Sequence, residues 1–308
     1  MVRMKAKSNP KHLHWVSYFY LRYFATMESR QSKHPQTWIF SKDDSDGDEK
    51  LTNIRNICGK RYLYAPIGET GERDWSLEKK LGELESAIGL VWPKVADGYI
   101  DMGDETIRKG LSLFIAVMHL RNPEFRNSVE QTHTKLVRAL SALPTKDGAP
   151  NVTQIEINGT MHQVDTSAWN EYRNLTKNDH DLSFAQFVQS EAIRMAETLM
   201  KKRWSIILSE RDSFITTDRP VLLGHETRRT YGYDTNHVVL TFPLSPKRLL
   251  VMDDMYDEPA NLCYPLAPQD TGAYNLAAWQ NGSRFLITGR SVQEVLSEMA
   301  AWAECQVA

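Results

Sequence analysis

A chain of 308 residues and 35.4 kDa has room for one large domain or two of ordinary size. It is 41% apolar and 10% aromatic, with 8 Trp, 12 Tyr and 10 Phe, which excludes a mainly disordered chain because that much ring and aliphatic surface offsets chain entropy. Thirty-seven Lys and Arg against 39 Asp and Glu leave a formal net charge of -2, which excludes the basic field of a general nucleic-acid binder and leaves room for a local basic groove.

Arg3, Lys5, Lys7 and Lys11 open the chain, and His12, His14, Ser17, Tyr18 and Tyr20 follow where the apolar core of a secretion signal would stand, so none is expected. Dense aromatics over 13–27, with Val16, Tyr20, Tyr23 and Phe24 at roughly helical spacing, predict a buried helix. Residues 37–40 predict a short strand, and the acids Asp43, Asp44, Asp46, Asp48 and Glu49 a solvated loop without the glycine register of a calcium hand. Leu77, Leu81, Leu84, Ile88 and Val91 form the stripe of a helix that ends at Pro93. Asp104 caps a second helix through residue 120, and Pro123 opens a third through residue 140.

The polar, Pro- and Gly-containing segment 144–151 marks a soft boundary between a mainly helical lobe (1–146) and a mixed lobe (147–308). Asn158-Gly159 predicts a hairpin between 154–157 and 160–164. A long helix starts at Asp181 or Ser183 and runs into Lys201, Lys202 and Arg203. Short apolar runs at 205–208, 214–216, 221–223, 238–241 and 249–252 then predict an antiparallel or mixed sheet. A helix over 270–280, a strand over 284–287 and a helix over 292–303 complete the chain. The expected class is α+β, a helical N-terminal half packed on a mixed or antiparallel sheet with helices in the C-terminal half, in a single integrated domain.

The longest apolar stretch, 111–120, falls short of the ~20 residues that a bilayer crossing needs, so no membrane partner is expected. Cys58, Cys263 and Cys305 are odd in number and far apart, which argues against a disulfide framework or a thiolate zinc site and for a cytoplasmic location. Gly68-Glu-Thr-Gly71 lacks the Lys-Ser/Thr of a phosphate loop, and zincin, serine-hydrolase and zinc-deaminase motifs are missing. No feature demands a metal, and the cofactor is left unknown.

The candidate residues are polar groups in apolar surroundings. His14 opens the aromatic stretch and can act as acid or base; Arg22, two turns on, can hold a carboxylate or phosphate. Asp218 ends the run Phe214-Ile-Thr-Thr-Asp218-Arg-Pro220, where a rigid strand end can aim a carboxylate; alone, it reads more simply as a turn or cap. Arg121 and Arg126 flank a helix junction. Arg126 and His133 lie two turns apart on one face and resemble the Arg-x4-6-His signature of HEPN ribonucleases, against the plainer reading of a solvated helix face. Lys201, Lys202, Arg203, Arg228 and Arg229 beside Trp204 and Tyr231 could form a basic patch, but interleaved Glu210, Asp212 and Glu226 favour an ordinary mixed surface.

Three separated segments, His14-x-Val-x-x-Phe-Tyr-Leu-Arg-x-Phe-Ala25, Phe114-Ile-Ala-x4-Arg-x-Pro-x-x-Arg126 and Phe-Ile-Thr-Thr-Asp-x-Pro-Val221, resemble the uncharacterised, mainly bacterial family known as domain of unknown function 4238. Phe242-Pro-Leu-Ser-Pro246 and the stretch from Tyr274-Asn275 through Arg284-Phe-Leu-Ile-Thr-Gly289 fit in order. Ser17 stands where that family usually has Pro, and Met118-His119 where Gln is common. The resemblance implies one integrated domain whose first and last thirds touch, carries no settled activity, and adds weight to His14, Arg22, Arg121, Arg126, Asp218 and Asn275. The expectation is a polar pocket acting on a phosphate-bearing substrate, nucleic acid or nucleotide, as a hydrolase or nuclease: His14 is the acid or base, Asp218 its orienter or a metal ligand, and Arg22, Arg121, Arg126 and Asn275 hold substrate. The alternative is a non-catalytic binding or sensing protein in which the same residues form a structural polar network.

Overall fold

The computed structural model describes residues 12–43, 48–68, 70–157 and 160–307. The chain enters as strand β1 (His12–His14) and turns at Ser17, whose ψ of 134° stops any helix, before the six-residue helix α1 (Tyr18–Tyr23). The single helix expected over 13–27 is therefore a strand and a short helix. Strand pairing captures residues 12–14: β2 (Gln36–Ser41) and β3 (Glu49–Asn53) form an antiparallel pair, Asn53 caps a 3-10 turn at Ile54–Asn56, and β4 (Gly59–Arg61) pairs with β1. Gly59 leaves room for the exposed His12 ring, which a Cβ there would push aside.

Three helices follow, α2 (Ser76–Ala96), α3 (Glu105–Leu120) and α4 (Pro123–Ser141). As expected, Asp104 caps α3 and Pro123 opens α4, with Asn122 as its cap. Pro93 does not end α2: one more turn buries Val95 and Ala96, and Ser245 Oγ donates to the Ala96 carbonyl at 2.8 Å, which offsets the hydrogen bond that proline removes. The boundary segment is a tight hairpin, β5 (Thr145–Lys146) and β6 (Ala149–Pro150), turning through Asp147 and Gly148 at φ 52° and 80°. The next pair, β7 (Gln154–Ile157) and β8 (Thr160–Gln163), is antiparallel as expected; its Asn158-Gly159 turn lies outside the described residues.

After α5 (Trp169–Arg173), α6 (Lys177–Lys201) starts a turn earlier than expected, because Thr176 and Asp179 bond reciprocally in a capping box with Asp in the place of Glu. Then come β9 (Arg203–Leu208), β10 (Thr216–Thr217), β11 (Leu222–Gly224), β12 (Val239–Ser245), β13 (Arg248–Asp253), β14 (Leu262–Pro265), α7 (Thr271–Asn281), β15 (Phe285–Thr288) and α8 (Val292–Val307). Five strands form one sheet in the order β11-β12-β13-β9-β14, antiparallel except for the last pair. Four form another in the order β10-β15-β2-β3, so strands from the first and last parts of the chain lie side by side.

The class is α+β, and both halves mix helix and strand. Trp204, Leu240, Phe242, Leu250 and Met252 turn one face of the five-stranded sheet into a core shared with α1, α2, α3 and α6. At its centre Tyr20 stacks on Phe242 with ring centroids 5.2 Å apart, and Trp92 meets Phe114 edge-on at 5.4 Å. Each of these fully buried side chains contributes roughly 2–3 kcal/mol. Among the described residues, no helix is long and apolar enough to cross a membrane.

Candidate functional site

The aromatic opening of the chain crosses α2 and the end of α3, and this crossing gathers three of the six expected side chains, His14, Arg22 and Arg121. Arg121, at the C-terminus of α3, is 1% exposed. Its Nε donates to the Trp15 carbonyl (2.8 Å), Nη1 to Glu85 Oε1 (2.7 Å) and Nη2 to Ser17 Oγ (2.7 Å). Ser17 Oγ in turn donates to Glu85 Oε1 (2.7 Å), which closes the network. Tyr64 donates its hydroxyl to the Arg121 carbonyl at 2.6 Å, and burial pushes that phenol well up. Arg121 is thereby fully engaged, and removing it would strand Glu85 half-buried and unpaired.

His14 lies half-buried beside this network. Its Nε2 faces the Arg55 carbonyl at 3.1 Å, and because a carbonyl can only accept, the neutral ring carries its proton on Nε2 and leaves Nδ1 with a free lone pair. Burial lowers its pKa, against the hydrogen bond to Arg55; His12 and Arg121 lower it further and Glu85 opposes them. The ring touches His12 (centroids 5.1 Å apart) and Tyr18 (6.4 Å). The Tyr18 ring is also 6.0 Å from the guanidinium carbon of Arg22, one turn along α1. Arg22 is half-buried, and among the described residues it has no hydrogen-bond acceptor and no carboxylate partner. One aromatic ring thus separates an imidazole from an unsatisfied cation.

Two acids that sequence reasoning missed complete the arrangement. Glu78 and Glu85, seven residues apart on one face of α2, are both half-buried. Glu78 is pushed up to about 7 by burial and by Glu85, against the pull of Arg121. Two carboxylates on one face therefore differ in role, one held by Arg121 and one poised to keep its proton near neutrality. Their signal in the sequence was two acids flanking the apolar stripe of α2 at a two-turn interval.

The other expected residues have different partners. Asp218 does come to this junction, but through its main chain: its carbonyl accepts from Trp15 Nε1 (3.0 Å) and Asn122 Nδ2 (3.0 Å). Its carboxylate turns away and accepts from the backbone N–H groups of Ser283 (3.0 Å), Arg284 (3.1 Å) and Phe285 (3.3 Å) at the entrance to β15. Burial raises its pKa more than those donors lower it. Asn275, buried in α7, accepts from Ile215 N–H (3.1 Å) and donates to the Ser213 carbonyl (2.9 Å). Arg126 on α4 is taken by Asp181 (2.5 Å) and Glu130 (3.0 Å), while His133 meets the Tyr172 carbonyl at 2.7 Å. The basic run dissolves likewise: Lys202 pairs with Asp254 and Arg203 with Asp253. No group of three or more His, Cys, Asp or Glu among the described residues is arranged to hold a metal ion.

Fold and junction together define an α+β protein whose N-terminal strand and helix are bolted to two core helices through a buried arginine. Residues 12–291 match the family model described as a protein of unknown function, DUF4238, and the chain belongs to that family. The search of curated proteins gave no match, and the search of solved structures gave none.

Proposed function

We propose that this protein is a hydrolase of a phosphate-bearing substrate, nucleic acid or nucleotide, and that its site is the His14–Tyr18–Arg22 face together with Glu78 on the face of α2 that carries Glu85. The observation that carries the reading is Arg22, a half-buried guanidinium with no acceptor among the described residues, set across one tyrosine ring from an imidazole whose Nδ1 has no partner among them. An unsatisfied guanidinium favours a phosphate oxygen in bidentate geometry. The lowered His14 pKa leaves the ring neutral at pH 7, so Nδ1 can take a proton from water as its oxygen attacks phosphorus; Glu78, protonated up to about pH 7, can return a proton to the leaving oxygen. Lys60 and Arg61, exposed on the β1–β4 ribbon, supply a local positive border. Arg121, Asp218, Asn275 and Arg126 act in this reading as structural ties, and the three free cysteines fit a reducing cytoplasm.

The second reading, a binding or sensing protein without turnover, is favoured by the complete satisfaction of Arg121 and Asp218, and the same experiment separates the two. Purified protein is incubated with labelled single-stranded RNA, single-stranded DNA and a nucleoside triphosphate. At least one should be hydrolysed. His14→Gln and Glu78→Gln should each lower kcat by about 100-fold or more without loss of melting temperature, and Arg22→Ala should raise KM by roughly 10- to 100-fold. Binding that depends on Arg22 without turnover establishes the second reading; neither binding nor turnover rejects both.

A further inference from the structure

One cavity is lined by none of His14, Tyr18, Arg22 and Glu78 and has no part in the proposed hydrolysis. It is a cleft of about 750 Å³ past the ends of β9 and β14, whose last residues Leu208 and Pro265 belong to the one parallel strand pair of the five-stranded sheet. Parallel strands end in loops that diverge, which leaves room for a ligand. The volume is in the range of small-molecule sites.

The lining carries charges of both signs, Arg30, Lys247 and Arg248 with Asp97, Glu210 and Asp212, of which only Arg30 and Asp212 pair among the described residues. Of these, Lys247, Asp97 and Glu210 have no ionic partner among the described residues. Arg30 reaches Asp212 only at 3.7 Å, and its Nε is buried with no acceptor. Arg248 spends its guanidinium on the Val95 carbonyl (3.1 Å) at the end of α2. The buried Arg30 Nε is costly to leave without an acceptor, and the exposed Lys247, Asp97 and Glu210 remain free to engage a ligand's charges. Met27, Leu208 and Pro265 add an apolar wall, and Met27 is 79% exposed.

We propose that this cleft binds a short peptide with free termini: its carboxylate against Arg30 and Lys247, its ammonium against Asp97 and Glu210, and an aliphatic side chain on Met27, Leu208 and Pro265. A molecule bearing one charge only would satisfy one set of walls and desolvate the other. Cys263 lines the cleft and is exposed, whereas Cys305 is exposed on α8 and is not among the lining residues, so the two thiols report occupancy against a built-in reference.

The test uses the full chain and the dipeptide alanyl-leucine. Calorimetry should detect binding, and N-acetylation or C-amidation of the dipeptide should each weaken it by about tenfold or more. Lys247→Ala, an exposed position that leaves folding intact, should weaken it by about fivefold or more. Millimolar dipeptide should slow maleimide labelling of Cys263 and leave Cys305 unchanged. Equal affinity for free and capped dipeptides, or labelling of Cys263 that ignores the dipeptide, overturns the assignment. Failure here leaves the phosphohydrolase reading untouched, since the two sites share no residue.

Discussion

Glu78 joins stability to pH in a way that one substitution exposes. Its carboxyl sits at about 7 in the folded chain against an ordinary 4.5, so the folded state holds the proton more tightly than the unfolded one. For a raised pKa, the stabilising contribution is complete below the unfolded value and is lost as pH climbs through the folded one, here between about 4.5 and 7. At 1.36 kcal/mol per pKa unit the ceiling is about 3 kcal/mol, and solvent reaching a half-buried group reduces this to about 1–2 kcal/mol. Glu78→Gln should therefore be more stable than the parent by about 1–2 kcal/mol at pH 8 and equal to it near pH 4.5, as read from urea melts at the two pH values. Equal stability differences at both would show that Glu78 is not perturbed. At this scale His14, Arg22 and Arg121 were legible as polar groups in aromatic surroundings. Glu78 was not, because its perturbation arises only when residues 14–18 and 121 fold over α2. Asp218 was legible as a buried acid whose partners, the backbone of 283–285, carry no side-chain signature at all.

At the scale of elements, the tightest packing in the second half is that of α7 on α8. Gly272 approaches α8 so closely that a Cβ would lie 2.3 Å from the Glu298 carbonyl oxygen and 2.6 Å from Trp302 Cβ. Neither a helix backbone nor a Cβ can swing aside, so Gly272→Ala should cost about 2–4 kcal/mol through separation of the two helices. Gly82, in the middle of α2, has nothing within 4 Å of the same added atom. Gly82→Ala should stabilise by up to about 1 kcal/mol, because only helix propensity changes. Thermal melts of the pair check both signs. Elements built on periodic stripes, such as α2 and α3, were readable because one buried face repeats every turn. β1 and β14 were not. Three residues pair with a distant β4 in one case, and in the other four exposed residues ending in Pro265 lie along a sheet edge, so neither shows the alternation that marks a half-buried strand.

The whole molecule is closed by its C-terminal strand. β15 lies between β10 and β2 and brings Thr288 to Thr37, whose Oγ1 donates to the carbonyls of Phe24 (2.7 Å) and Thr288 (2.9 Å). Gly289 comes so near Ala25 that a Cβ would lie 2.6 Å from its carbonyl oxygen. The entrance to β15 also supplies three N–H donors, from Ser283, Arg284 and Phe285, to the buried Asp218 carboxylate. We propose on these grounds that the chain folds as one integrated domain. A fragment ending at residue 281 would retain most helices yet expose one edge each of β2 and β10 and leave Asp218 desolvated without those donors, a penalty of several kcal/mol set against the 5–15 kcal/mol of a typical domain. It should show helical circular dichroism with no cooperative thermal transition, and adding the missing residues 282–308 as a peptide should not restore the parent's melting temperature at micromolar concentration. A sharp, parent-like melt of the fragment would mean that the helices and the five-stranded sheet fold independently and that the first and last thirds of the chain meet only afterwards.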